Sequence, residues 1–98
     1  MWHIRWHKLV LEEDFKKFSV SQKELILKNI QKKLSLDPQG YGKPLGGELA
    51  GYWRLRVEDY RVIYSLERAE VTVFVVKVGV RRDAEVYKDM LKRLHALN

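Results

Sequence analysis

The sequence predicts an α+β domain with its elements in the order β-α-α-β-β-β-α. The expected architecture is a mostly antiparallel four-stranded sheet with an N-terminal helical hairpin on one face and a C-terminal helix. Three observations carry that prediction. Apolar residues recur at helical spacing twice in the first third of the chain and once at its end. Between Tyr52 and Val78 they alternate with polar residues or run as β-branched stretches, as strands do. The 98 residues, 46% of them hydrophobic, fit one compact domain spanning residues 1–98.

Trp2-His3-Ile4-Arg5-Trp6 alternates apolar and polar, a short first strand. From Lys8 to Phe18 a helix is expected with Leu11, Phe15 and Phe18 on its apolar stripe. The next helix starts from a capping box with Ser21 as N-cap and Glu24 three residues on, and its stripe is Ile26, Ile30 and Leu34. Residues 37–51 hold both prolines and five of the six glycines and read as a long loop, the kind that carries function. Tyr52–Val57 alternates cleanly, and Glu58-Asp59 is a tight turn. Tyr60–Leu66 is the next strand, Glu67–Glu70 a turn, and Val71–Val78 a strand rich in β-branched residues. After Gly79 a last helix follows, capped by Asp83, with Val86, Met90, Leu94 and Leu97 on its stripe.

Lys and Arg number 19 against 13 Asp and Glu, a net charge of +6, which biases so small a domain toward polyanions. Residues 1–50 carry eight Lys and one Arg, whereas residues 51–98 carry seven Arg and three Lys. The planar guanidinium suits phosphate, so a site is expected in the second half. The absence of cysteine removes disulfide scaffolds and thiol nucleophiles. No stretch approaches a membrane span, and no carboxylate cluster suggests a metal, so a cytoplasmic protein without cofactor is expected.

A two-residue turn at Glu58-Asp59 fixes the pairing of its flanks: Val57 with Tyr60, Arg56 with Arg61, Leu55 with Val62 and Trp53 with Tyr64. One face then carries Trp53, Leu55, Val57, Tyr60, Val62 and Tyr64, a core face for the helical hairpin. The other carries Tyr52, Arg54, Arg56, Arg61, Ile63 and Ser65. Arg56 and Arg61 stand opposite each other, which is destabilising unless an anion sits between them. Continuing through the next turn pairs Leu66 with Val71, Arg61 with Val76 and Tyr60 with Lys77. Arg81 and Arg82 leave the last strand at the same edge, with Tyr87 following. Arg54, Arg56, Arg61 and Arg81 thus converge near Tyr87, a cluster shaped for a phosphodiester. His3, His7 and His95 are not expected there, so the cluster lacks a ready proton shuttle.

The run from Leu45-Gly46-Gly47 through Tyr52-Trp53-Arg54-Leu55-Arg56-Val57-Glu58-Asp59-Tyr60-Arg61-Val62-Ile63-Tyr64 resembles the signature of the RelE/ParE toxin superfamily. Val73 to Tyr87, including Gly79-Val80-Arg81-Arg82, is similar to the RelE branch in particular. The resemblance implies the toxin of a type II toxin–antitoxin pair, a ribosome-dependent endoribonuclease that cuts mRNA in the A site by attack of the 2′-hydroxyl on the adjacent phosphate. It implies that Arg61 stabilises the transition-state phosphate, Arg81 acts on the leaving 5′-oxygen and Tyr87 stacks on or orients the nucleotide. Arg54 takes the place of a lysine that activates the nucleophile, and a second lysine of the family falls at Tyr52. The base would then be Tyr52 or Tyr87, with a pKa lowered by the arginines. Tyr52, Arg56, Lys77 and Arg82 are expected to contact RNA. The implied partners are the small ribosomal subunit with its mRNA and an acidic, RelB-like antitoxin. Two other readings remain: a ParE-like poison of DNA gyrase, and an RNA-binding module without catalysis.

Overall fold

The computed structural model describes residues 1–80 and 82–97. Five strands form one mixed sheet: β1 (His3–Trp6), β2 (Lys43–Pro44), β3 (Tyr52–Val57), β4 (Tyr60–Glu67) and β5 (Thr72–Gly79), in the spatial order β1-β5-β4-β3-β2. β1 runs parallel to β5 and every other pair is antiparallel. The fold class agrees with the sequence, but the expected sheet of four strands gains a fifth. It comes from the stretch read as a loop. Asp37 caps a short helix α2 (Pro38–Tyr41) by accepting from the Gly40 amide at 2.9 Å, and β2 follows at once. At Gly42 a Cβ would fall 1.8 Å from the Tyr64 hydroxyl, which itself donates to the Pro38 carbonyl at 2.5 Å. The glycine is there because strand β4 presses its tyrosine against the backbone.

The helical hairpin covers one sheet face in two arms. Its first arm is irregular, a wide π-type turn at Val10–Asp14 followed by a 3-10 turn at Phe15–Lys17. The i→i+5 hydrogen bond from the Phe15 amide to the Val10 carbonyl aligns those two residues inward. Val10 and Asp14 are therefore buried, and Leu11, expected on the stripe, is exposed. The second arm is α1 (Val20–Asn29), prolonged by a π-type turn at Ile30–Leu34. Its capping box is Ser19 with Gln22, not Ser21 with Glu24: Gln22 N–H donates to Ser19 Oγ at 3.2 Å, and Ser19 N–H to Gln22 Oε1 at 2.7 Å. A glutamine serves that reciprocal bond as well as a glutamate, so the earlier serine wins. Ile26, Ile30 and Leu34 lie fully buried, as the stripe required.

Around these residues the first core joins Phe15, Phe18, Leu55, Val57, Val62, Tyr64, Val73 and Val75, flanked by Trp2, Trp6 and Trp53. On the opposite face the last helix, α3 (Asp83–Leu97), packs Val86 and Met90 against Ile63, Val76 and Leu49 in a second core, with Leu94 at its margin. The sheet is thus covered on both faces, and Ile63, assigned to the arginine face by alternation, is buried under α3.

The β3–β4 register is the expected one throughout. The β4–β5 register is not. Val71 adopts a left-handed backbone (φ 50°), closed to a β-branched residue in a strand, so the turn ends one residue later and Glu67 pairs with Thr72. A bulge opposite Ile63 and Tyr64 then adds one more residue to β5. Arg61 consequently faces Gly79 and not Val76, and Lys77 faces Ile63 and not Tyr60. The strand ends level with Arg61, which brings the start of α3 to the arginines. Gly79 allows this close approach, since a Cβ there would lie 2.9 Å from a Val86 methyl.

Candidate functional site

Three guanidiniums from β3 and β4 meet at the first residue of α3. Arg54 Nη1 donates to Asp83 Oδ2 at 3.1 Å, Arg56 Nη2 to the same oxygen at 3.4 Å, and Arg61 Nε to Asp83 Oδ1. The Tyr87 hydroxyl, one helical turn beyond Asp83, donates to Oδ2 at 3.4 Å. Arg61 is further pinned by bonds from Nη1 to the Glu58 and Tyr60 carbonyls, both 3.1 Å. The anion that opposed Arg56 and Arg61 demanded is therefore a carboxylate of the chain itself. Asp83 was expected to cap α3; instead the Arg82 carbonyl accepts the first helical bonds, from Glu85 and Val86.

Charge and burial set the titration of the two acidic members. Burial disfavours the charged form of Asp83, but the hydrogen bond from Arg61 and the charges of Arg54, Arg56 and Arg61 outweigh it, holding the carboxyl below its usual range. Tyr87 is raised, chiefly by burial, with Asp83 adding to the rise and Arg54 opposing it. The shift of Tyr87 runs opposite to the lowering that its use as a base would need.

The other residues singled out from the sequence divide. Arg56 and Arg82 are exposed beside the cluster, while Tyr52 is half-buried and packs on the second core together with Tyr87. Arg81 lies outside the described residues. Lys77 does not line the site at all. The shifted register pairs it with Ile63, and its ammonium is buried 3.1 Å from Asp14 Oδ1. Asp14 also accepts from the Val78 amide at 2.9 Å and from both Arg93 Nη atoms, at 2.9 and 2.8 Å. The residue that sequence reasoning missed at the site is Asp83, and the signal was available. The opposed arginines required an anion, and the chain beyond β5 supplies one.

Three guanidiniums presented by two strands of a small basic α+β domain, and meeting one carboxylate, form a cluster chemically able to hold an oxyanion. Among the described residues no cluster of His, Cys, Asp and Glu could hold a metal ion, and no helix is long and apolar enough to cross a membrane. The model of the ParE toxin of type II toxin–antitoxin systems (parDE) matches residues 4–85. The chain belongs to this family, within the RelE/ParE toxin superfamily and on its RelE-like branch. It is 42% identical over 41 residues to the mRNA interferase toxin RelE of Escherichia coli K12, a stretch covering 42% of this chain and 43% of that protein. It is 40% identical over 50 residues to the toxin RelG of Mycobacterium tuberculosis, covering 51% and 58%. The chain thus matches about half the length of these relatives. Among solved structures it superposes on a chain of the M. tuberculosis toxin–antitoxin complex RelBE2 with a TM-score of 0.77 and 28% identity, covering 84% of this chain and 93% of that one. The isolated E. coli RelE toxin shares the fold at a TM-score of 0.68 and 22% identity, over 96% and 99%.

Proposed function

We propose that this protein is the toxin of a type II toxin–antitoxin pair and acts in the cytoplasm as a ribosome-dependent endoribonuclease, cutting mRNA in the A site without a metal. The observation that carries the reading is the convergence of Arg54, Arg56 and Arg61 on one carboxylate-sized point at the mouth of the sheet. In the reaction the 2′-oxygen attacks the neighbouring phosphorus and the bond from phosphorus to the 5′-oxygen breaks. A 2′,3′-cyclic phosphate and a 5′-hydroxyl result. Arg61, fixed on two backbone carbonyls, stabilises the charge that builds on the phosphate, and Arg54 holds a non-bridging oxygen. Arg81 stabilises the leaving 5′-oxygen, which takes a proton from water while the 2′-hydroxyl gives its proton to water. Tyr87, protonated, orients the nucleotide, while Tyr52, Arg56 and Arg82 flank the strand of RNA. With no side chain poised as a strong base, the rate derives from positioning on the ribosome and from charge stabilisation.

The net charge of +6 suits an acidic, RelB-like antitoxin that covers the arginines. Primer extension on mRNA in translating ribosomes tests the activity. Codon-phased cuts are expected with the protein and should fall by about 100-fold or more in Arg61→Ala, as for loss of one transition-state donor. An intact transcript together with gyrase-dependent DNA breaks would instead establish the ParE-like reading.

A further inference from the structure

The arginine cluster is filled before any ligand arrives. We infer that Asp83 is an internal counter-anion, a positioning residue that holds the guanidiniums converged and is exchanged for the phosphodiester when RNA binds. This rests on the reading of the cluster as a phosphodiester site. Three features of the geometry support it. Both Asp83 oxygens are engaged, Oδ1 by Arg61 and Oδ2 by Arg54, Arg56 and Tyr87, so the carboxylate stands where the ligand's charged oxygens would. Arg54 is 8% exposed, yet among the described residues its Nε meets no acceptor. A carboxylate has no third oxygen to offer it, whereas a phosphodiester has its bridging oxygens as well as two non-bridging ones. The Asp83 side chain, finally, is 27% exposed at the first residue of α3, so rotation of the side chain frees it to solvent while the helix stays in place.

A site occupied by its own carboxylate binds an external anion more weakly by the fraction that is free. Neutralising Asp83 therefore tightens phosphate binding even as it removes ion pairs from the free protein. A residue with a merely structural role would loosen the arginines and weaken binding. Inorganic phosphate, titrated into the full chain and followed through the arginine Nε–H signals, separates the two. Asp83→Asn, and Asp83→Ser should the first variant fold poorly, are expected to bind phosphate about fivefold more tightly, as for a cluster about four-fifths occupied by its own carboxylate. Asp89→Asn removes the same charge further along α3 and should change affinity by less than about twofold, that distance being comparable to the Debye length. Equal or weaker binding in folded Asp83 variants, with binding lost in Arg61→Ala, would overturn the exchange and leave the phosphate site standing. Equal tightening in Asp89→Asn would overturn it too, since charge alone would then account for the gain. If no variant, nor the natural chain, shows a phosphate response at the arginines, both readings fall.

Discussion

Asp14 and Asp83 each gather cationic donors from distant parts of the chain, yet their surroundings differ in the one respect that decides what a charge cluster can do. Asp14 is 1% exposed and fully subscribed: Lys77, both Arg93 Nη atoms and the Val78 amide reach it from β5 and α3, and Arg93 also donates to the Val76 carbonyl at 2.8 Å. No ligand can enter without unpacking the fold. Asp83, with 27% of its side chain exposed, faces solvent over partners that range from the buried Arg54 to the exposed Arg56. The same chemistry is thus a clasp at one end of α3 and an exchangeable site at the other. Burial, more than the number of bonds, separates structure from function here.

The largest expected effect belongs to the clasp. Asp14→Ala leaves Lys77 buried without its counter-charge and Arg93 with only Glu13, 3.4 Å away, and should lower unfolding free energy by about 3–5 kcal/mol. Urea denaturation measures this directly; a loss below about 1 kcal/mol would mean that the cluster is open to water and the contrast with Asp83 void. A smaller loss is expected for Lys77→Met, because Asp14 keeps Arg93 and the Val78 amide while the methionine fills the stem's volume. About 1–2 kcal/mol should go, with codon-phased mRNA cleavage unchanged. Reduced cleavage at intact stability would return Lys77 to the RNA surface where the sequence placed it.

That misplacement shows where reading the sequence stops. Patterns that repeat within one element were legible: the β3–β4 register, the Ile26, Ile30, Leu34 stripe and the β-branched run of β5 all follow from periodicity and a two-residue turn. What was not legible depends on single irregular residues. One left-handed Val71 and one bulged position in β5 move Arg61 from Val76 to Gly79 and Lys77 from Tyr60 to Ile63, and no alternation rule reports either. A π-type turn likewise exchanges Leu11 for Val10 and Asp14 on the inside. Three of the four expected arginines still share a site, because Arg54, Arg56 and Arg61 all lie on the hairpin whose register was fixed locally. The role of Asp83 was hidden by a competing rule, since an aspartate at the head of a helix is ordinarily its cap.

The smallest effect tests the open cluster through protons. The folded-state pKa of Asp83 lies below its ordinary carboxylate value, so its ion pairs contribute stability that is fully present above the unfolded pKa, near 4, and lost as pH falls through the depressed folded value. Because the side chain is partly exposed and its partners are screened, the contribution should stay under about 1 kcal/mol. The measurement is a difference. Denaturation midpoints of the natural chain and of Asp83→Asn should lie apart at pH 6 and converge as the solution is taken below pH 4. Addition of 1 M sodium chloride at pH 6 should close most of the same gap, the Debye length having shrunk to about 3 Å. A gap that survives both acid and salt would mean that Asp83 is held as tightly as Asp14, and a carboxylate held so would not give way to a phosphodiester.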